Sequence, residues 1–220
     1  MPPSSSRERI LDAAERLFAE KGVASASLRE IGAAARANPG SLYFHWKTKA
    51  ELVREVFRRR LAPLDAERMR RLEAAEASHA PGPVPLEDVL EALVGPMLGL
   101  VAGTDRGGTG FLRLLGRTYN EPDRELVRML RHDHGATLER FRDALARAVP
   151  ELPEEQLFVR FHFALGALAH TLGSDASWQL VVGARRRSAS WEEVLGELMP
   201  FLVAGFGAPS AEARRLRESA

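Results

Sequence analysis

Apolar residues recur every three or four positions along most of the chain, and no stretch alternates apolar and polar residues with a period of two. The first such run comprises Ile10, Leu11, Ala14, Leu17 and Phe18. At this spacing the five side chains would lie on one face of a helix. Gly22 stands where that helix would end. The pattern predicts an all-α fold of about nine or ten helices.

Three helix start signals follow between residues 25 and 52. Two have the spacing of capping boxes, namely Ser27 with Glu30 and Thr48 with Glu51. The third is an N-cap at Asn38 with Pro39 at the first helical position. Starts this close together require very short helices joined by a tight turn, which indicates a helix-turn-helix.

The second helix of this motif has an unusual surface. Leu42 and Trp46 are spaced so that both can point inward. The other residues of the helix then point outward and have aromatic or hydroxyl character and little charge: Gly40, Ser41, Tyr43, Phe44 and His45. A solvated helix face usually carries Glu and Lys instead. Small and hydroxylated residues let a helix approach DNA closely, and Tyr and His can bond phosphates or base edges.

Residues 31–49 resemble the DNA-binding signature of the tetracycline-repressor (TetR) family. The core of that signature is matched by Gly40, Leu42, Tyr43, Trp46 and Lys49. Three positions depart from it: Arg36 stands where the turn prefers Gly, Ala37 where Val follows, and Trp46 in place of Phe. Arg36 is therefore predicted to need the left-handed backbone that favours glycine.

The motif and the resemblance together predict a set of DNA contacts: Ser27, Arg29, Pro39, Gly40, Ser41, Tyr43, Phe44, His45 and Lys49. We expect Phe44 to touch a thymine methyl group and Tyr43 to bond a phosphate. Ser27 and Lys49 stand at helix starts, where free N–H groups favour phosphate. The resemblance implies that Arg29 contacts a base. Trp46 is expected in the core.

The charge distribution agrees with a DNA-facing N-terminal end. Residues 1–60 hold 12 basic and 7 acidic side chains, a net charge of +5, whereas the rest of the chain carries −4. The chain has no Cys, which excludes disulfides and thiolate metal sites. No signal peptide and no long apolar run are visible, so we expect no membrane span. The expected location is the bacterial cytoplasm, at the nucleoid.

The division into domains follows from these signals. We predict a DNA-binding domain over residues 1–47, a regulatory and dimerisation domain over 48–208, and a flexible tail over 209–220. Thr48–Arg60 is the expected connector, and Pro63 is expected to kink or interrupt its helix. Arg58, Arg59 and Arg60 are interpreted as a solvated face, with phosphate contact as the alternative. Gly103–Gly110 is interpreted as a loop between helices rather than a phosphate loop.

The family commonly carries a ligand cavity in its C-terminal domain. A group of apolar and aromatic residues provides candidates for its lining, with ordinary core packing as the alternative: Met97, Leu100, Phe111, Leu115, Tyr119, Met129, Phe158 and His162. Residues 59–72 and 111–120 look similar to the PsrA-like branch of the family. That similarity implies an effector that is a fatty acyl or other apolar compound.

The remaining candidate chemistry is sparse. His132 and His134 are two residues apart and would lie on different faces of a helix, so we predict no metal site. No Ser/His/Asp or paired-carboxylate arrangement stands out in the sequence, so we predict no enzymatic activity, and we expect no cofactor. Helices over residues 154–172 and 190–206 carry apolar residues on more than one face. Two such helices from each chain would form a four-helix interface in a homodimer.

The sequence as a whole favours a homodimeric transcriptional repressor that binds a palindromic operator in double-stranded DNA and is released by a small apolar ligand. Two alternatives stay open at this point. One is a metal-dependent hydrolase or binding protein that uses the histidines, and the other is an architectural DNA binder that is indifferent to sequence.

Overall fold

The computed structural model describes residues 5–102, 107–120, 123–173 and 191–209, and within these ranges the chain forms ten helices and no strand. In chain order they are α1 Ser6–Lys21, α2 Leu28–Ala34, α3 Pro39–His45, α4 Lys49–His79, α5 Leu86–Val94, α6 Pro96–Ala102, α7 Gly108–Asn120, α8 Arg124–Ala148, α9 Glu154–Gly173 and α10 Trp191–Gly207. The predicted all-α fold with about nine or ten helices is confirmed.

Helix α1 has the buried face that the apolar pattern predicts. All five residues of the first apolar run are at most 7% exposed. The helix begins at a capping box that sequence analysis did not identify, in which Ser5 and Glu8 each accept a bond from the other's backbone N–H. It ends at Gly22, whose φ of 83° suits glycine.

Helix α4 is a single helix of 31 residues that passes through Pro63. Of the two effects predicted for Pro63, a kink or an interruption of the helix, the interruption was therefore wrong. Leu61 and Leu64 are buried on either side of the proline, whereas Pro63 itself is exposed. Because packing holds the helix on its inner side, the lost N–H and the bulky ring fall on the side facing solvent.

The start of α4 departs in detail from the predicted capping box. The Thr48 hydroxyl accepts a bond from the backbone N–H of Glu51, as expected, at 3.2 Å. The Glu51 carboxylate, however, accepts from the N–H of Lys47 at 2.8 Å rather than from that of Thr48. The bond to the N–H of Glu51 is therefore the one expected from a capping box, whereas the reciprocal bond is made one residue earlier in the chain.

Helices α5 and α6 separate at Gly95, directly before Pro96. A Cβ at Gly95 would come within 2.4 Å of the Glu91 carboxylate and 2.7 Å of its backbone carbonyl. Glycine at this break lets α5 and α6 stay close to α4, where Arg71 also approaches.

The hydrophobic core joins the N-terminal helices to the rest of the chain. Helix α1 packs on α2, α3, α4 and α7, and α7 packs on α9. Phe57 of α4 and Phe111 of α7 meet edge to face in this core, with 5.7 Å between their ring centroids. Helix α8 contacts α4, α5 and α9, while α10 contacts α5, α6 and α9.

Three expectations lie on residues outside those that the structure describes. These are residues 103–106 of the predicted loop Gly103–Gly110, the first residue of the predicted helix 190–206, and the tail beyond residue 209. The loop prediction was wrong for residues 108–110, which form the start of α7. None of the described helices is long and apolar enough to cross a bilayer.

Candidate nucleic-acid interface and ligand cavity

Helices α2 and α3 form the predicted helix-turn-helix. Ser27 and Glu30 make both bonds of the capping box, and Lys21 of α1 donates to Glu30 at 2.8 Å. The Lys21 ammonium and the bonds from Ser27 lower the pKa of Glu30 to about 2. The Asn38 side chain accepts from the N–H of Gly40 at 2.9 Å, and Pro39 is the first residue of α3.

The turn between the two helices has the geometry of a Schellman motif. The N–H of Ala37 donates to the carbonyl of Gly32 at 3.0 Å, and the N–H of Arg36 donates to that of Ala33 at 3.1 Å. Arg36 occupies the position that usually carries glycine, and its φ is +49°. The left-handed backbone predicted for this residue is therefore present.

Helix α3 presents the expected outward surface, which we call the recognition face: Gly40, Ser41, Tyr43, Phe44 and His45. Leu42 and Trp46 point inward and are buried. Tyr43 is 58% exposed and Phe44 84% exposed, and His45 and Gly40 are also exposed. Aromatic rings this exposed on a short helix leave a large apolar area without a partner among the residues that the structure describes.

Ser41 is the least exposed residue of the recognition face. Its hydroxyl lies 2.8 Å from that of Ser6 on α1, and the two share a hydrogen bond. The side chain is half-buried, so Ser41 positions α3 against α1 at the same time as it borders the exposed surface.

The other candidate DNA contacts surround α3. Arg29 on α2 is exposed and has no side-chain partner within the described part of the chain. The Lys49 ammonium donates to the carbonyl of Ala24 at 2.9 Å, which fixes the start of α4 to the loop before α2. Ser27 is exposed at the start of α2, although its hydroxyl already contacts Glu30.

A buried ionic cluster fixes α1 to α4 below the helix-turn-helix. Glu15 is 2% exposed and accepts hydrogen bonds from both Arg59 and Arg60, the latter at 2.8 Å. Arg59 also donates to Asp12 at 2.7 Å, and Arg58 pairs with Glu55. The interpretation of the three arginines as a solvated face was wrong for Arg59 and Arg60, because their acidic partners lie more than 40 residues earlier on another helix.

A second site lies among the C-terminal helices. A cavity of about 260 Å³, which we call the central cavity, is bounded by residues of six helices: Leu61, Asp65, Arg68, Leu93, Met97, Leu115, Thr118, Tyr119, Val127, Leu130, Arg131, His134, Gly135, Leu138, Leu165 and Leu168. Its walls are mostly apolar. Asp65, Arg68 and His134 form a polar cluster within them.

The structure brings together part of the predicted ligand set. Met97, Leu115 and Tyr119 line the central cavity. Phe111 is fully buried in the core, and Leu100 and Met129 pack against the core without lining the cavity. These three therefore support the core alternative.

Phe158 and His162 lie on the outer side of α9 and do not line the cavity. Helix α9 turns Leu157, Ala164 and Leu168 inward, which places both side chains on the opposite face. Phe158 is 42% exposed and packs under the guanidinium of Arg142, 5.8 Å from the ring centroid.

The histidines on α8 have separate partners. His132 contacts Asp133, and Asp133 accepts a bond from Nε of Arg54 at 2.6 Å. His134 contacts Asp65 on α4 at 2.8 Å. In the described ranges no three His, Asp or Glu side chains are arranged to hold a metal ion.

Sequence analysis missed Asp65 and Arg68 as cavity residues. Arg68 is 9% exposed and occupies a position in the buried register of α4, between Leu64 and Leu72. A charged residue at a position where every neighbour in the register is apolar was the available signal. His134 likewise stands in the inward register of α8, between Leu126 and Phe141.

Two family models match this chain, one at each end. The family model for bacterial regulatory proteins of the tetR family matches residues 10–56. The model for the tetracyclin repressor-like C-terminal domain matches residues 91–205, more than half of the chain. The chain belongs to the tetracycline-repressor family.

Curated relatives match only part of this family member. The HTH-type transcriptional regulator AcrR of Shigella flexneri is 46% identical over 52 residues, or 24% of this chain and 24% of that protein. The HTH-type transcriptional repressor BepR of Brucella suis is 36% identical over 103 residues, which is 47% of this chain and 46% of that protein. The matches thus span a quarter to a half of these relatives.

The fold as a whole resembles that of other tetracycline-repressor family proteins. The fatty acid degradation regulator FadR from Bacillus halodurans superposes with a TM-score of 0.61 at 16% identity, over 95% of this chain and 100% of that one. At that identity the likeness concerns the fold alone.

Proposed function

We propose that the protein is a sequence-specific DNA-binding transcriptional regulator, and that it acts as a repressor. The observation that carries this proposal is the recognition face, whose aromatic and small residues point outward from a capped helix-turn-helix. An α-helix fits the major groove, and its N-terminal residues approach the base edges.

The roles follow from the position of each side chain. Phe44, the most exposed of them, contacts a thymine methyl group, and the Tyr43 hydroxyl bonds a phosphate. Gly40 and Pro39 let the start of α3 approach the DNA closely. His45 bonds a phosphate or a base edge, and Arg29 reads a base.

Ser27 and Lys49 stand at the starts of α2 and α4, where backbone N–H groups and the helix dipole favour phosphate. We propose residues 1–47 as the DNA-binding domain and 48–208 as the regulatory domain. The family models over residues 10–56 and 91–205 support that division.

We also propose that the regulator is a homodimer. Phe163 on α9 and Phe201 on α10 are 65% and 66% exposed. Val159, one turn before Phe163 on α9, is 49% exposed. Two copies that bury these residues against each other would form a four-helix interface. A two-fold dimer presents two copies of α3 and therefore selects a palindromic operator.

The central cavity is the proposed effector site. Helix α4 supplies Leu61, Asp65 and Arg68 to the cavity wall and binds Glu15 of α1 through Arg59 and Arg60. A ligand that prefers a shifted position of α4 would therefore also shift the helix-turn-helix. It can release the DNA only by binding the DNA-incompatible state more tightly.

The effector in this proposal is a small apolar compound. The similarity of residues 59–72 and 111–120 to the PsrA-like branch of the family makes a fatty acyl compound one candidate class. Assignment to the PsrA-like branch stays a prediction.

Selection of bound sequences from a pool of random duplexes tests the proposed function. We expect an inverted repeat whose half-sites are one helical turn apart, or a multiple of it. Enrichment of no sequence would favour the architectural DNA binder instead. Stoichiometric bound metal without affinity for any duplex would favour the hydrolase alternative.

A further inference from the structure

The central cavity has a volume of about 260 Å³ and is lined by residues of α4 to α9. Two of these residues, Tyr119 and Val127, are 43% and 44% exposed, so the cavity is open to solvent on one side and its volume describes the part of a ligand that it holds. An apolar protein cavity of about 150 Å³ accommodates benzene, so this one suits a molecule of about ten non-hydrogen atoms. A long fatty acyl chain of about eighteen such atoms exceeds that size.

The polar cluster in the cavity wall is centred on Asp65. Its Oδ1 accepts a bond from Nη1 of Arg68 at 3.3 Å, and its Oδ2 lies 2.8 Å from Nδ1 of His134. Nε of Arg68 donates to the carbonyl of Leu93 at 2.8 Å. All three side chains of the cluster are at least 86% buried.

The bond between His134 and Asp65 determines which ring nitrogen carries a proton. A carboxylate can only accept, so the proton lies on Nδ1 of His134. Nε2 is then a lone-pair acceptor in the neutral ring, or a second donor in the imidazolium. Nε2 is buried and has no hydrogen-bond partner among the described residues, an arrangement that destabilises a protein unless a partner is supplied.

Arg68 offers a second hydrogen-bonding group in the same polar cluster. Its Nε and Nη1 are engaged, whereas its Nη2 has no partner in the part of the chain that the structure describes. Because Asp65 contacts both residues, the free Nη2 donor and Nε2 of His134 belong to one cluster. A single ligand oxygen that can both donate and accept suits that pair.

We propose that the central cavity binds a compact molecule of about ten non-hydrogen atoms, with an apolar body and one hydroxyl or carboxyl group that hydrogen-bonds Nε2 of His134. A hydroxyl donates its O–H to the Nε2 lone pair, while its oxygen accepts from Arg68. A carboxylate accepts from the imidazolium N–H and from Arg68. This inference rests on the proposed function, in that it takes the central cavity as the effector site.

Calorimetric titration of the full chain with matched probes tests the proposal. The probes are para-propylphenol, para-ethylbenzoate, the headless propylbenzene and palmitate. We expect the phenol or the benzoate to bind at least about tenfold more tightly than propylbenzene, because only a head group satisfies Nε2. Whichever of the two binds more tightly identifies the head group.

The opposite results would overturn the inference. It fails if propylbenzene binds as tightly as both headed probes, and equally if palmitate binds more tightly than either. It also fails if none of the four binds. These comparisons use only the unaltered protein and do not depend on any variant folding.

Two variants assign the effect to His134. His134→Asn keeps an amide N–H at the position of Nδ1, which preserves the bond to Asp65 but removes Nε2. We expect it to lose the roughly tenfold preference for the headed probe. His134→Gln places an amide at the position of Nε2 and is expected to retain part of the preference. An unchanged preference in His134→Asn would contradict the role of Nε2.

Failure of this inference is distinguishable from failure of the proposed function. Ligand preference is measured without DNA, whereas the proposed function is tested with DNA and without ligand. Binding of the selected duplex together with indifference to the head group would overturn the ligand class alone. A preference for the head group together with no binding of any selected duplex would overturn the DNA-binding function alone.

Discussion

At the scale of single residues, Arg36 adopts a backbone conformation that is unfavourable for a residue with a side chain. It completes the Schellman turn between α2 and α3 at a φ of +49°. The left-handed region costs a non-glycine residue about 1–2 kcal/mol because Cβ approaches the following carbonyl. The sequence predicted this strain, since the residue stands where the family prefers glycine.

We expect Arg36→Gly to raise the stability of the protein by about 0.5–1 kcal/mol. Relief of the strain exceeds the entropy that glycine adds to the unfolded chain. Chemical denaturation measures the change. Arg36→Ala is the control, since it removes the guanidinium but keeps the strained Cβ, and it should leave the stability nearly unchanged. Destabilisation by Arg36→Gly would contradict this account.

Glu15 shows what local sequence patterns cannot reveal. The sequence shows a run of three arginines, but it does not show which acidic residue two of them bind. Glu15 lies on α1, more than 40 residues away, and it stands beside the apolar residues that predicted the buried face of that helix. Only the packing of α1 on α4 brings these charges together.

Glu15→Ala is expected to destabilise the protein by about 3 kcal/mol, because it leaves two partly buried guanidinium groups without their shared carboxylate. Asp12→Ala is the matched control. Asp12 contacts the same Arg59, but its side chain is 64% exposed, so its loss should cost about 0.5 kcal/mol or less. Thermal denaturation compares the two, and equal effects would argue against the buried cluster.

At the scale of secondary structure elements, α4 connects the two sites. Near its start, Arg54 pairs with Asp133 on α8, and further along it, Asp65 pairs with His134 on the same helix. The Arg54 guanidinium holds the pKa of Asp133 at about 2, below the usual value of 3.8. The folded protein therefore favours ionised Asp133.

The lowered pKa gives the pair a defined pH dependence. A depressed carboxyl pKa stabilises the fold fully above the unfolded value, and this contribution is lost as the pH falls from about 4 towards about 2. We expect Asp133→Asn to lower the Tm by about 2–4 °C at pH 7. The difference from the unaltered protein should shrink below about pH 4. A difference that is constant with pH would contradict the pairing.

The start signals of the short helices could be predicted because they depend on neighbouring residues. Ser27 with Glu30, and Asn38 with Pro39, act over three residues or fewer. The course of α4 past Pro63 could not be predicted in this way. Whether a proline interrupts a helix depends on the packing of its flanks, here by Leu61 and Leu64. The polar cluster of the cavity was missed for the same reason, since it unites α4 with α8.

At the scale of the whole molecule, two groups of exposed apolar residues in the described helices have different proposed partners. Tyr43 and Phe44 belong to the recognition face, and Phe163 and Phe201 belong to α9 and α10. Both helices of the proposed dimer interface were predicted from apolar residues on more than one face. Their inward faces fill the core with Leu168 and Leu202.

Phe163→Glu combined with Phe201→Glu is expected to convert a dimer into a folded monomer. The charges would be buried without partners in the interface but remain hydrated in the monomer. Light scattering at micromolar concentration should show twice the chain's mass for the unaltered protein and the chain's mass for the variant. Ala77→Glu, at an exposed position of α4, should leave the dimer intact. A monomeric unaltered protein would refute the proposed interface.

The most direct test of the central claim is the affinity of the recognition face for a selected duplex. Fluorescence anisotropy at physiological salt should show that the unaltered protein prefers that duplex to an unrelated one by about 10³-fold or more. Tyr43→Ala combined with Phe44→Ala should abolish the preference while the Tm stays within a few degrees, since both side chains are exposed. Equal affinity of the unaltered protein and the variant for the selected duplex would contradict the claim that α3 reads the DNA.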